Sequence, residues 1–169
     1  MNNYNHVFET PDFRFMEVGK KTNIDIGDLL YLEGNKVKPA GEFDLHENPT
    51  QTQNAFARVF AGVALQASKR GDDHEVKVGI SGIYEFQCEK QSFGIGASVA
   101  PFVYRGYGRL ENNKVEAAHV TYVDCVLGIG SVYRLTKNQS AVFVDIHSAI
   151  CPRGMTRGMY AKLIDLASL

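Results

Sequence analysis

The chain has 169 residues, 44% of them hydrophobic and 22% charged, with 18 basic and 19 acidic side chains for a net charge of −1. That length makes one domain the default, and the apolar fraction is enough for a real core. The charge balance excludes the basic excess of a dedicated nucleic-acid or anionic-membrane binder, and the densest basic spots, Lys20-Lys21 and Lys69-Arg70, are too small for a footprint.

Residues 1–23 read as an N-terminal arm. Pro11 and the polar residues break it, yet Phe8, Phe13, Phe15, Met16 and Val18 are too apolar for a free tail. The arm either packs on its own domain or reaches a neighbouring subunit. The first residues lack the basic-then-apolar layout of a signal peptide. Gly27-Asp28 is a turn, and Leu29 to Leu32 a short strand that turns through 33–36 into Val37. Residues 39–54 are rich in Pro, Gly, Asn, Thr and Gln and read as a long exposed loop carrying His46. Residues 55–65 are ambiguous between helix and strand. The alternation of Ala57, Val59, Ala61, Val63 and Leu65, with Gly62 among them, favours a strand. Residues 68–73 form a polar turn containing Arg70-Gly-Asp72, a tripeptide read here as a turn and no more.

Residues 75–87 are the spine of the chain. Val76, Val78, Ile80, Gly82, Tyr84 and Phe86 occupy the even positions, whereas the odd ones are polar or small except Ile83. A period of two puts one face on a core. At roughly 3.3 Å per residue the run spans about 40 Å, long for one strand. Gly79 and Gly82 are therefore expected bend points, where a strand curls around a barrel or changes sheets.

Beyond the spine, residues 93–104 read as a glycine-interrupted strand pair, and 109–115 as a hairpin around Asn112-Asn113. Residues 120–132 and 140–150 read as two further strands, with Val142, Val144 and Ile146 on one face of the second. The C-terminal tail, 151–169, places Met159, Leu163 and Leu166 at helical spacing, with Met155 a turn earlier. A helix of about three turns is too short to stand alone and must dock on something. The expected organisation is an arm over 1–23, a small β-barrel or sandwich over 24–150, and a tail with a short helix over 151–169.

Chemistry-bearing patterns are sparse. Gly94-Ile-Gly96 lacks the third glycine and the strand-to-helix context of a nucleotide loop. The five histidines, His6, His46, His74, His119 and His147, show no metal-binding spacing. Asp44 with Glu47, and Asp72 with Asp73, read as solvated loop charges. Cys88, Cys125 and Cys151 are odd in number and far apart, which suits free thiols in a reducing compartment better than a disulfide framework or a thiolate metal site. No run of about 18 apolar residues calls for a membrane span. No catalytic residue, metal or cofactor is expected.

The order of the pieces carries a resemblance. Ile26-Gly-Asp-Leu-Leu-Tyr31 opens the core, and Ala61-Gly-Val-Ala-Leu65 precedes the alternating spine. Gly94-Ile-Gly-Ala-Ser-Val-Ala100, Asn113-Lys-Val115, Val126-Leu-Gly-Ile-Gly130 and Ala141-Val-Phe-Val-Asp-Ile146 follow. Over residues 24–150 this resembles the small decoration proteins of tailed-phage capsids, also called cement or head-stabilising proteins. The motifs are short and structural, and their order carries the likeness. The arm, the 39–54 segment and the tail depart from it. The resemblance implies a compact β-barrel or sandwich, often trimeric, made in the host cytoplasm and seated on the outer surface of the virion. It implies the major capsid protein as partner and no catalytic residues. Phe8, Phe13 and Phe15 of the arm, and Met159, Leu163 and Leu166 of the tail, are the expected partner-binding residues. Another virion or tail module, and a small-ligand-binding or enzymatic β-barrel, are the alternatives. The last is disfavoured because no polar groups converge to orient a ligand.

Overall fold

The computed structural model describes residues 12–90, 93–104, 106, 108–118 and 128–150. The chain is mainly β, as the alternating runs require, and its strands close into two five-stranded barrels. The first barrel is built from β1 (Phe13–Val18), β2 (Leu29–Glu33), β3 (Lys36–Pro39), β4 (Phe60–Ala64) and β5 (Glu75–Gly79). The second is built from β6 (Ser81–Cys88), β7 (Ser98–Tyr104), β8 (Arg109–Ala117), β9 (Gly130–Leu135) and β10 (Ala141–His147). The expected small barrel is thus present twice between residues 13 and 147, and β1 draws part of the expected arm into the first. The expected C-terminal helix lies outside the described residues.

The spine explains the division. Ile80 separates β5 from β6, and the strand leaves one sheet there to enter the other. Its even residues face inward on both sides of the junction. Val76 and Val78 fill the first core with Val18, Ile24, Leu30, Val37, Ala61 and Ala64. Tyr84, Phe86 and Cys88 fill the second with Val99, Val115, Val132, Val142, Val144 and Ile146.

The barrels repeat one topology. In the first, the strand order is β1-β3-β2-β4-β5, with β1 and β3 parallel and every other pair antiparallel. In the second it is β6-β8-β7-β9-β10, with β6 and β8 the parallel pair. Register aligns residues as well as strands. The parallel pair couples Glu17-Val18 to Lys36-Val37 in one barrel and Gln87-Cys88 to Lys114-Val115 in the other. Val76 and Val78 of β5 correspond to Val142 and Val144 of β10. Leu30 opposite Gly62 corresponds to Val99 opposite Gly130. These two glycines share one duty: a Cβ on Gly62 would drive into the carbonyl oxygen of Gly79, and one on Gly130 into that of Asp145, the residue equivalent to Gly79. Closure of a small barrel brings the strands too close there for any side chain.

Three regions differ from the sequence reading. Residues 93–104, expected as a strand pair, form a turn at 94–97 and the single strand β7. The expected loop over 39–54 is ordered, with a 3-10 turn at Ala40–Glu42 and a helix, α1, at Pro49–Val59. The Asn48 side chain caps the helix by accepting the Gln51 N–H at 2.9 Å, and Pro49 supplies the preset first residue. The helix takes residues 55–59 of the run expected as a strand, and only 60–64 are extended. Thr52, Gln53, Phe56 and Ala57 make its buried face. Phe56 packs against Tyr31, Phe43 and Phe60. Strands β2 and β4 are covered on both sides: Leu29, Tyr31, Phe60 and Val63 join the second core while Leu30, Ala61 and Ala64 line the first. Two-sided burial gives continuous apolar runs rather than alternation, so the periodicity of 55–65 could not separate helix from strand.

The expected hairpin around Asn112-Asn113 is one bulged strand. Along β8, Val115 sits opposite Pro101 and Leu110 opposite Val103, so the residues between them bow out of the ladder. Pro101 has no N–H to give the ladder. The bulge tethers the two barrels, since Asn112 Oδ1 accepts the Gly41 N–H at 2.6 Å. Glu116 performs a similar task, accepting from Gln53 Nε2 at 2.8 Å and from the Val103 N–H at 3.2 Å.

Candidate partner-binding surface

Strand β1 presents two exposed aromatic side chains on the first barrel wall. Arg14 and Met16 pair across the ladder with Val78 and Val76, so Phe13, Phe15 and Glu17 point outward beside Gly79, Lys77 and Glu75. Phe13 is 44% exposed and Phe15 57%. Their rings meet edge to face at 5.7 Å. The Lys77 ammonium lies 3.9 Å from the Phe13 centroid, a cation–π contact that holds one ring down. A pair of rings on a closed ladder is rigid and loses little rotamer freedom when covered.

The described chain begins and ends beside this face. The Ile80 N–H donates to the Asp12 carbonyl at 2.8 Å, and the Ser148 N–H donates to the Ile80 carbonyl at 3.3 Å. Residues 12 and 148 therefore flank the junction between the barrels. Of the six expected partner-binding residues, Phe13 and Phe15 are brought together here. Phe8, Met159, Leu163 and Leu166 lie outside the described residues.

A polar cavity of about 210 Å³, lined by residues of both barrels, was not anticipated from sequence. Asp25, Asp28, Arg109 and Glu111 are its charged groups, and Asn112 and Asn113 complete one side. Asp28 is only 4% exposed. Burial pushes its carboxyl up to about 6, against the pull of the Asp25 N–H, which donates to Asp28 Oδ2 at 2.9 Å. In sequence Asp28 follows a turn glycine and looks like a turn residue, and nothing in one chain separates a turn aspartate from a buried one. A second, more apolar depression of about 390 Å³ is lined by Leu45, His46, Pro49, Thr52 and Val103 among others.

The Cys88 thiol is buried and pushed up by that burial, and it donates to the Gln139 carbonyl at 3.5 Å. Among the described residues no group of three or more His, Cys, Asp or Glu is placed to hold a metal ion. No described helix is long and apolar enough to cross a membrane. No protein-family model matches the chain, and no curated protein matches it.

Proposed function

We propose that the chain is a structural virion protein that decorates and stabilises the outer surface of a phage capsid. The exposed Phe13–Phe15 pair carries the reading, because it offers an apolar contact fixed to a closed barrel wall. The ordered motif resemblance, the nearly neutral charge and the absence of free sheet edges in the closed barrels support it. In this role the partner is the major capsid protein, the chain acts as a homotrimer, and Phe8, Met159, Leu163 and Leu166 extend the contact begun by Phe13 and Phe15. Burial of each ring contributes about 1.5–3 kcal/mol before ordering costs, and many copies on a lattice add avidity.

Co-sedimentation with shells assembled from the major capsid protein of the same genome tests this, together with native mass. Wild type is expected to bind and to raise the temperature at which shells rupture. The doubly substituted Phe13→Ser/Phe15→Ser protein is expected to stay folded and bind at least about tenfold more weakly. Equal binding by the two proteins rejects the assignment of this face. A second reading, a small-ligand-binding barrel, draws on the buried Asp28 carboxyl facing the 210 Å³ cavity. Thermal stabilisation by small cationic or polar solutes, lost in Asp28→Ala, would favour it over shell binding.

A further inference from the structure

The two barrels share an apolar feature that neither requires for closure. In the turn at 25–28 the Asp28 N–H donates to the Asp25 carbonyl at 3.1 Å, and in the turn at 94–97 the Ala97 N–H donates to the Gly94 carbonyl at 3.0 Å. The Gly27 N–H then reaches the Ala64 carbonyl at 2.9 Å, as the Gly96 N–H reaches that of Val132 at 2.8 Å. The return bonds match too, from Ala64 to Asp28 and from Val132 to Ala97, each at 2.9 Å. Both glycines sit at positive φ, 94° and 81°. The turns are therefore one structure made twice from main-chain bonds and a glycine. The residue before that glycine takes no part in these bonds, and proline is the type such a position commonly holds. Here it is isoleucine both times: Ile26, 42% exposed, and Ile95, 70% exposed.

The exposed rings of β1 do not recur in this way. Phe13 corresponds by register to Ile83, which is buried, and Phe15 to Glu85. An isoleucine is thus held out to solvent at the same point of both copies, where closure of neither barrel uses it. We propose that Ile26 and Ile95 are a duplicated pair of contact points that engage two like apolar sites on a partner whose own surface repeats, the face of an assembled protein shell. This rests on the shell-binding reading. A partner with a single site leaves one tip idle, whereas a repeating one engages both, and two modest contacts on one body reinforce each other through effective concentration.

The test uses the full chain with Ile26→Ser and Ile95→Ser, singly and together. Binding is measured to assembled shells of the major capsid protein and, in parallel, to its unassembled subunit. Wild type is expected to bind shells at least about tenfold tighter than the subunit. Either single substitution should weaken shell binding about tenfold while changing subunit binding by less than about threefold, and the double variant should lose both. Thermal stability should not change. If wild type binds shells and the double variant binds them equally, this inference fails and the shell-binding reading stands. If wild type binds no shells, both fall. If the substitutions change the native mass of the free protein and not shell binding, the tips are covered by a second copy of the chain and the inference is overturned.

Discussion

The first and second barrels are the same construction with different fillings. The first is packed with aliphatic side chains alone, Val18, Ile24, Leu30, Val37, Ala61, Ala64, Val76 and Val78, and two of its strands are buried on both faces. The second encloses the larger Tyr84 and Phe86, bulges at β8 and takes the helix against its flank. What the barrels share is the scaffold: the strand order, the crowded glycine and the isoleucine-tipped turn. What they do not share marks where the molecule does something besides close: Phe13 and Phe15 against Ile83 and Glu85, and Asp28 against Ala97. One barrel serves as the control for the other.

The largest expected effect strikes both equally. Val78→Asp and Val144→Asp each place an unpaired charge at an equivalent, fully buried inward position. Each should abolish the cooperative thermal transition and narrow the amide proton spectrum. A native melting curve for either would remove that residue from its core. Next come Gly62→Ala and Gly130→Ala, whose added Cβ meets backbone that cannot step aside. Both should lose about 3 kcal/mol or more in urea unfolding. A large loss at one and none at the other would break the equivalence of the two closures.

The scaffold was legible in part. The inward parity of the spine and the alternation of 142–146 follow from period-two patterning, the turn at Gly27 from its Gly-Asp pair, and the strand expected at 29–32 from its apolar run. The duplication was present as Val76-Lys-Val-Gly-Ile80 against Val142-Phe-Val-Asp-Ile146, and as Ile26-Gly27 against Ile95-Gly96. It has no fixed period in the sequence, because the helix and the β8 bulge change the spacing between equivalent strands. The helix over 49–59 was hidden by polar residues that read as loop, although Asn48-Pro49 is a helix start. Of the candidate site, the alternation of Phe13 and Phe15 with Arg14 marks a strand, but it favours rings turned inward and the arginine outward, whereas Phe13, Arg14 and Phe15 are all exposed. The cavity is not legible in the sequence, because Asp25 and Arg109 come to line it only through the packing of one barrel on the other.

Asp28 gives a medium effect with a definite sign. Its folded carboxyl titrates near 6, above the unfolded value of 3.8. The folded state therefore holds the proton more tightly, and the associated stability is fully present below about pH 3.8 and lost as pH rises through 6. Between pH 4 and 7 the unfolding free energy should decline by roughly 1–3 kcal/mol on this account. Asp28→Ala should flatten that slope and be more stable than wild type at pH 7.5, since the Ala97 turn closes with the same bonds. A slope unchanged by the substitution would assign it to other groups. The smallest effect belongs to Phe15→Ser, which should move the urea midpoint by less than about 0.5 kcal/mol in stability. A larger loss would mean that the ring is covered and does not form an open contact face.

That one strand serves two barrels is tested most directly by nuclear Overhauser contacts in the isotope-labelled chain. The account predicts cross-strand contacts of residues 75–79 with 13–17, of 81–87 with 141–147, and the Ile80 amide beside Asp12, with none between 75–79 and 141–147. Continuous pairing of 75–87 with a single partner strand would contradict it, and with it the duplication on which the shared turns rest.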